Sequence, residues 1–143
     1  MNRTVILAIT AAAAAALTMP AGAAPAAAEG ETYTAGPAVP DPTPIAGTTC
    51  VPTIPQARHS KVVDIKGPGT LELKMVSTTA LDWSVAILDS KGRMLGCTDG
   101  GTPETIEVVK VKIKTAGKYT LASNNFAGTP TCEMKWTYTP AKK

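Results

Sequence analysis

The chain has 143 residues, with 14 Lys and Arg against 11 Asp and Glu, one His, and a formal net charge of +3. So small an excess leaves no electrostatic footprint for nucleic acid or for an anionic membrane surface. One histidine and three widely spaced cysteines make no metal-binding Cys/His cluster.

Met1-Asn2-Arg3 carries one positive charge. Thr4 to Met19 is an uncharged run rich in Ala, Ile, Leu and Val, and Pro20 breaks it ahead of the small-x-small step Ala21-Gly22-Ala23. This is the pattern of a secretory signal peptide over 1–23, cut after Ala23 or, alternatively, after Ala28. A run so dominated by alanine partitions weakly into lipid, which argues against a membrane anchor, and no lipid-attachment cysteine follows it. The expected location is secreted and extracellular. Arg3 is the one charge removed, so the remaining 120 residues hold 13 basic and 11 acidic groups, a net of +2. Residues 24–55 then alternate Ala, Pro, Gly and Thr, with Pro37, Pro40, Pro42, Pro44, Pro52 and Pro55 interrupting any ladder or helix. They read as an extended, largely disordered arm that Cys50 is placed to pin at its far end.

From residue 56 to 140 the dominant signal is alternation with period two. Val63 and Ile65 share a face over Lys61–Lys66, as do Leu71, Leu73 and Met75 against Glu72 and Lys74. Trp83, Val85 and Ile87 oppose the small Ser84 and Ala86, and a short strand at Arg93–Cys97 returns from the Ser90-Lys91-Gly92 turn. Over Thr105–Thr115, Ile106 or Val109, then Val111 and Ile113, oppose Lys110, Lys112 and Lys114. Tyr119 and Leu121 form one more face, and Cys132, Met134, Trp136 and Tyr138 oppose Glu133, Lys135 and Thr137. Turn signals at Gly67-Pro68-Gly69, Asp99-Gly100-Gly101, Ala116-Gly117 and Ala127-Gly128-Thr129-Pro130 leave no room for an ordinary helix. The expectation is an all-β fold, a single antiparallel, jelly-roll-like β-sandwich of about seven strands, with 141–143 as a tail.

Gly69-Thr70-Leu71, then Leu81-Asp82-Trp83 leading into Val85-Ala86-Ile87-Leu88-Asp89 and Gly92, then Glu104-Thr105-Ile106-Glu107, Ala116-Gly117-Lys118-Tyr119 and Asn125-Phe126-Ala127-Gly128 follow in order. Over roughly Val62 to Tyr138 this succession resembles the bacterial pre-peptidase C-terminal domain. The resemblance implies a jelly-roll sandwich on a secreted bacterial protein, with an accessory role such as substrate binding or help with secretion, and in some cases calcium binding. The usual neighbouring protease domain does not precede the module in this chain.

For catalysis, His59 lies between Arg58 and Lys61 with no nucleophile or carboxylate beside it in sequence. Phosphate loop and nucleophile elbow are also absent from the sequence, so no enzyme is expected. Asp82, Asp99, Glu104, Asn124 and Asn125 stand near strand ends as calcium candidates, against the commoner role of such groups in turns; no other cofactor is expected. Lys110, Lys112 and Lys114 project from one strand face, which Lys74 or Lys118 could extend. They are a candidate ligand face for an anionic polymer, set against a solvated face that also discourages edge aggregation. Of the three cysteines two should pair in an oxidising compartment. Cys50–Cys132 closes the longest loop onto the last strand, with Cys97–Cys132 as alternative. The third is buried or joins a second chain, so a monomer is expected unless that thiol makes a dimer. Two functions fit: a secreted non-catalytic module binding an extracellular polymer or protein, and a secreted inhibitor of an extracellular hydrolase acting through the loop Cys97–Pro103. A carboxylate-pair hydrolase is the weakest reading. The loop Asn124–Pro130 is a further contact surface.

Overall fold

The computed structural model describes residues 26–41, 50–77, 79, 82–98 and 106–142; the expected signal segment lies outside them. The alternating segments form β1 (Glu29–Ala35), β2 (Arg58–Ile65), β3 (Gly69–Met75), β4 (Asp82–Leu88), β5 (Met94–Thr98), β6 (Val108–Ile113), β7 (Gly117–Ala127) and β8 (Cys132–Pro140). A 3-10 turn at Pro55–Ala57 precedes β2, and the described residues contain no α-helix. Every pairing is antiparallel, in two four-stranded sheets ordered β1-β8-β3-β6 and β2-β7-β4-β5. That order arises when one long hairpin, with rungs β1·β8, β2·β7, β3·β6 and β4·β5, is rolled until β3 meets β8 and β4 meets β7. The fold is therefore a jelly-roll β-sandwich.

Between the sheets the first contributes Leu71, Leu73, Met75, Val109, Val111, Ile113, Met134, Trp136 and Tyr138, and the second Val63, Ile65, Trp83, Val85, Ile87, Tyr119 and Leu121. Trp83 is 1% and Trp136 7% exposed, as their strand faces predict. Trp83 also donates its indole N–H to the Thr129 carbonyl at 3.2 Å, so its one polar atom is satisfied.

The 24–55 segment departs from the expected disordered arm. Glu29–Ala35 pairs along its whole length with β8, from Glu29 opposite Tyr138 to Ala35 opposite Cys132, which raises the strand count to eight. As an edge strand it buries only Ala35 fully, so it carries almost no apolar alternation for sequence to reveal. At Gly36 the backbone takes φ +114°, where a Cβ would lie 2.5 Å from the Pro130 carbonyl oxygen, and the chain leaves the first sheet. Hydrogen bonds from Ala38 N to Pro130 O, Val39 N to Gln56 O and Asp41 N to Asn125 O then steer it toward the second sheet.

The far side of this segment explains why β4 and β7 are buried on both faces. Ser84, Ala86, Ala122 and Asn124 face outward, yet each is fully buried. Cys50 packs with Ala86 and Ala122 in a second, small apolar cluster outside the main core. Small side chains are what allow another length of backbone to lie against the outer face of a sheet.

The disulfide joins Cys50 to Cys97, with Cα atoms 6.0 Å apart, and Cys132 is free and buried. This corrects both expected pairings with Cys132. Cys97 lies opposite Ala86 on the outer face of the second sheet, beside Cys50, while Cys132 belongs to the main core. A sheet separates Cys132 from Cys50, and no bridge spans that distance. Loop length ranks pairings by entropy only among those that geometry permits.

Three outcomes follow from this packing. Trp83→Ala should lower unfolding free energy by about 3 to 5 kcal/mol in a denaturant titration, the cost of emptying a fully buried aromatic site. Thiol titration should find one reactive group per chain in denaturant and almost none in the folded protein, because burial pushes the Cys132 thiol up to about 11. Cys50→Ser with Cys97→Ser should cost about 2 to 4 kcal/mol.

Candidate functional site

Of the five calcium candidates, the three among the described residues, Asp82, Asn124 and Asn125, do not form one site. Asn124 and Asn125 are consecutive on β7, so their side chains point to opposite faces, and both are fully buried. The Asn124 amide donates to the Cys50 carbonyl and to Ser84 Oγ, each at 3.0 Å, and its oxygen accepts from Arg58 Nε at 2.8 Å. Asn125 donates to the Ala38 carbonyl at 2.9 Å and the Thr129 carbonyl at 3.1 Å. The two amides clamp the start and end of the crossing segment rather than ligating an ion. Asp82 opens β4 opposite Ala127, and burial raises its pKa above the ordinary carboxylate value. Asp99 and Glu104 lie outside the described residues. Among the described residues, no group of three or more His, Cys, Asp and Glu side chains is placed to hold a metal.

The lysine row is on β6 as its alternation requires, with Lys110, Lys112 and Lys114 exposed. Register places Lys110 opposite Glu72 and Lys112 opposite Thr70. Lys110 is ion-paired with Glu72 at 2.8 Å, while Lys112 donates to Thr70 Oγ1 at 3.1 Å. Lys74 shares this sheet and faces Lys135 across β8. Lys118 does not join it: it sits on β7 of the other sheet, opposite Asp64. The row therefore divides into one neutralised lysine and two cations, Lys112 and Lys114, that have no carboxylate within ion-pair distance among the described residues.

Those two lie at the side of the sandwich where β6 ends one sheet and β5 ends the other. Gly96 lets the two edges approach, since a Cβ there would meet Val111 Cγ1 at 2.7 Å and Val109 Cγ2 at 3.0 Å. Toward the 89–93 and 114–116 turns the edges part, leaving a cleft of about 420 Å³ lined by Asp89, Arg93, Leu95, Lys112, Ile113, Lys114, Thr115 and Tyr119. A smaller depression of about 200 Å³ adjoins it, bounded also by Lys91 and Lys118. Asp89 is held well below the usual carboxylate range, chiefly by the Arg93 N–H and then by its guanidinium; the ion pair is 2.7 Å. Tyr119 Oη donates to the Thr115 carbonyl at 2.7 Å and fixes the floor. Met94 (39%), Leu95 (42%) and Ile106 (40%) are exposed along the same edge. Arg93, Met94, Leu95 and Ile106 escaped sequence reasoning. The alternation of the five-residue β5 strand is too brief to fix which of its residues face water.

The loop that follows, Cys97–Pro103, lies outside the described residues beyond Thr98. Cys97 carries the disulfide, and Thr98 Oγ1 donates to the Val108 carbonyl at 2.7 Å. In the loop Asn124–Pro130, residues 124–126 are buried while Ala127, Thr129 and Pro130 stay exposed; the Asn125 amide and the Pro130 carbonyl hydrogen-bond Ala38 of the crossing segment.

At the opposite edge His59 is half-buried against β1. Its ring centroid is 5.9 Å from that of Tyr33, whose face also carries Lys61 Nζ at 5.0 Å, and Lys61 is paired with Glu31 at 3.0 Å. Ser123 lies opposite His59 in register, yet its hydroxyl is buried without a hydrogen-bond partner, so the two form no nucleophile–base pair. Burial, and after it the Lys61 charge, holds the His59 pKa below 6.5. The unfolded chain therefore takes up a proton that the folded chain resists, and stability should fall as pH drops through about 6.5. His59→Gln should flatten urea midpoints between pH 7 and 5. The steeper loss at lower pH, from Asp64 and Asp89 whose folded pKa values are lowered, should remain.

No protein-family profile matches the chain, and no curated protein sequence matches it. Among solved structures, the chain is similar to the crystal structure of PliG from Aeromonas hydrophila, a periplasmic lysozyme inhibitor of g-type lysozyme. Identity is 10% and the TM-score 0.41, over 85% of this chain and 91% of that one. A likeness that distant transfers no partner.

Proposed function

We propose that this chain is a secreted, non-catalytic jelly-roll module that binds a protein partner along the β5–β6 edge. The observation that carries the reading is the exposure of Met94 and Leu95 at the start of β5, with Leu95 in one cleft with Lys112 and Lys114, which have no carboxylate within ion-pair distance among the described residues; Ile106 is exposed at the other end of β6. Apolar side chains left in water at a sheet edge, with charge around them, have the composition of a docking surface rather than of a solvated face. The Cys50–Cys97 disulfide supports an oxidising destination, as does the signal-peptide pattern. The resemblance to pre-peptidase C-terminal domains supports an accessory role of the same kind. A sandwich face for anionic polymer is less well supported, because Lys110 is already paired with Glu72.

Inhibition of an extracellular hydrolase is the more specific form of this reading, with the 97–103 loop, which begins at the disulfide-bonded Cys97, as its expected contact. The test is a panel of secreted muramidases, proteases and amylases assayed with the purified chain. Micromolar inhibition of one of them is expected. Met94→Asp with Ile106→Asp should weaken it at least about tenfold, or 1.4 kcal/mol, without moving the melting temperature. Retention on a cell-wall polymer with no inhibition anywhere in the panel would replace this reading with the polymer one.

A further inference from the structure

Resting on the protein-partner reading, the geometry points to an acidic segment of the partner, carrying an apolar residue next to its carboxylate, as the occupant of the cleft between β5 and β6. Five cations, Lys91, Arg93, Lys112, Lys114 and Lys118, border the cleft and its adjoining depression, and Asp89 is the single carboxylate among the lining residues. Asp89 is already saturated: it accepts from the Lys91 and Arg93 backbone N–H groups at 2.9 and 3.0 Å and pairs with the Arg93 guanidinium. It therefore fixes the turn and its arginine without neutralising the lysines.

The cations are carried on three separate elements, the 89–93 turn, the end of β6 and the start of β7. An anion entering between them meets charge from several directions, where the low-dielectric walls of a cleft concentrate the field. The floor sets the second half of the specificity. Leu95 is 42% exposed and lies in the cleft with Ile113 and Tyr119. A polyphosphate or uronic-acid chain gains nothing from covering leucine, whereas an apolar side chain beside an acidic one buries it. Among the described residues β5 and β6 are the last strands of their sheets, so an extended peptide can continue either ladder by strand pairing, a register that a polysaccharide does not match.

The test uses the full chain, isotopically labelled, with a synthetic peptide of alternating Glu and Leu as probe and inorganic polyphosphate as competitor. The peptide should shift the amide resonances of Arg93, Leu95, Lys114 and Tyr119. Its affinity should drop at least about tenfold at 1 M salt, where the Debye length is near 3 Å. Lys112→Glu with Lys114→Glu should reduce binding by a similar factor, and Leu95→Asp should do so at low salt as well. Polyphosphate binding more tightly than the peptide and ignoring Leu95→Asp would make the cleft a polyanion site and overturn the inference. Absent or scattered shifts would overturn it too. If the peptide fails while Met94→Asp with Ile106→Asp still abolishes hydrolase inhibition, only the acidic occupant is wrong and the protein-partner reading stands; if neither effect is seen, both fall.

Discussion

The buried amide of Asn124 is the constraint on which the arrangement of this sandwich turns. Its two donors and one of its acceptor sites are taken by Ser84, the Cys50 carbonyl and Arg58, and Arg58 returns to the same Cys50 carbonyl at 3.0 Å. A polar side chain with no exposure is tolerable only when it is satisfied in this way. Its satisfaction requires the crossing segment to be present, at the right height above the sheet, before β2 begins. Arg58 is the first residue of β2, so one amide aligns the covering segment with the strand that pairs alongside. The disulfide to Cys97 repeats the constraint covalently on the other side of Ala86. Two independent ties, one polar and one covalent, thus hold the segment whose removal would expose half of the second sheet.

This covering makes the described surface of the sandwich asymmetric. The outer face of the second sheet is closed by its own chain over β4 and β7, and the outer face of the first is mostly threonine and lysine, with Glu72 and Glu133 among them. The β1–β2 edge is closed by the contacts among Glu31, Lys61, Tyr33 and His59. The β5–β6 edge has no such closure near its turn end. Gly96 brings the strands together, and toward the turns Leu95 of β5 shares one cleft with Lys112 and Lys114 at the end of β6. Protection on three sides concentrates what remains on the fourth.

The sequence carries the fold almost completely where alternation is strong. β3, β6 and β8 bury every second side chain, and both tryptophans face inward as their neighbours predict. It fails in two instructive places. β1 is an edge strand rich in Glu and Thr, and its pairing partner lies a hundred residues away in sequence, so neither hydrophobicity nor locality marks it. The small residues opposite the apolar row in β4 read as a wet face, when small size was the signal that backbone would lie on top. The lysine row was evident, but its division into paired Lys110 and unpaired Lys112 and Lys114 depends on register across β3. The calcium candidates illustrate the same limit: strand ends gather oxygen-bearing residues, and only orientation tells which of them hold backbone in place.

The positions of the cysteines have a consequence for how the protein reaches its oxidised state. Cys50 and Cys97 precede Cys132, and in any process that releases the chain from its N-terminus both native partners emerge before their competitor. Cys132 arrives with β8, the strand that β1 and β3 flank on either side, and once inserted it is 2% exposed. The competing thiol is therefore last to appear, and in the fold it is buried in the main core. An odd cysteine, ordinarily a hazard in an oxidising medium, is made harmless by its place in the order of assembly.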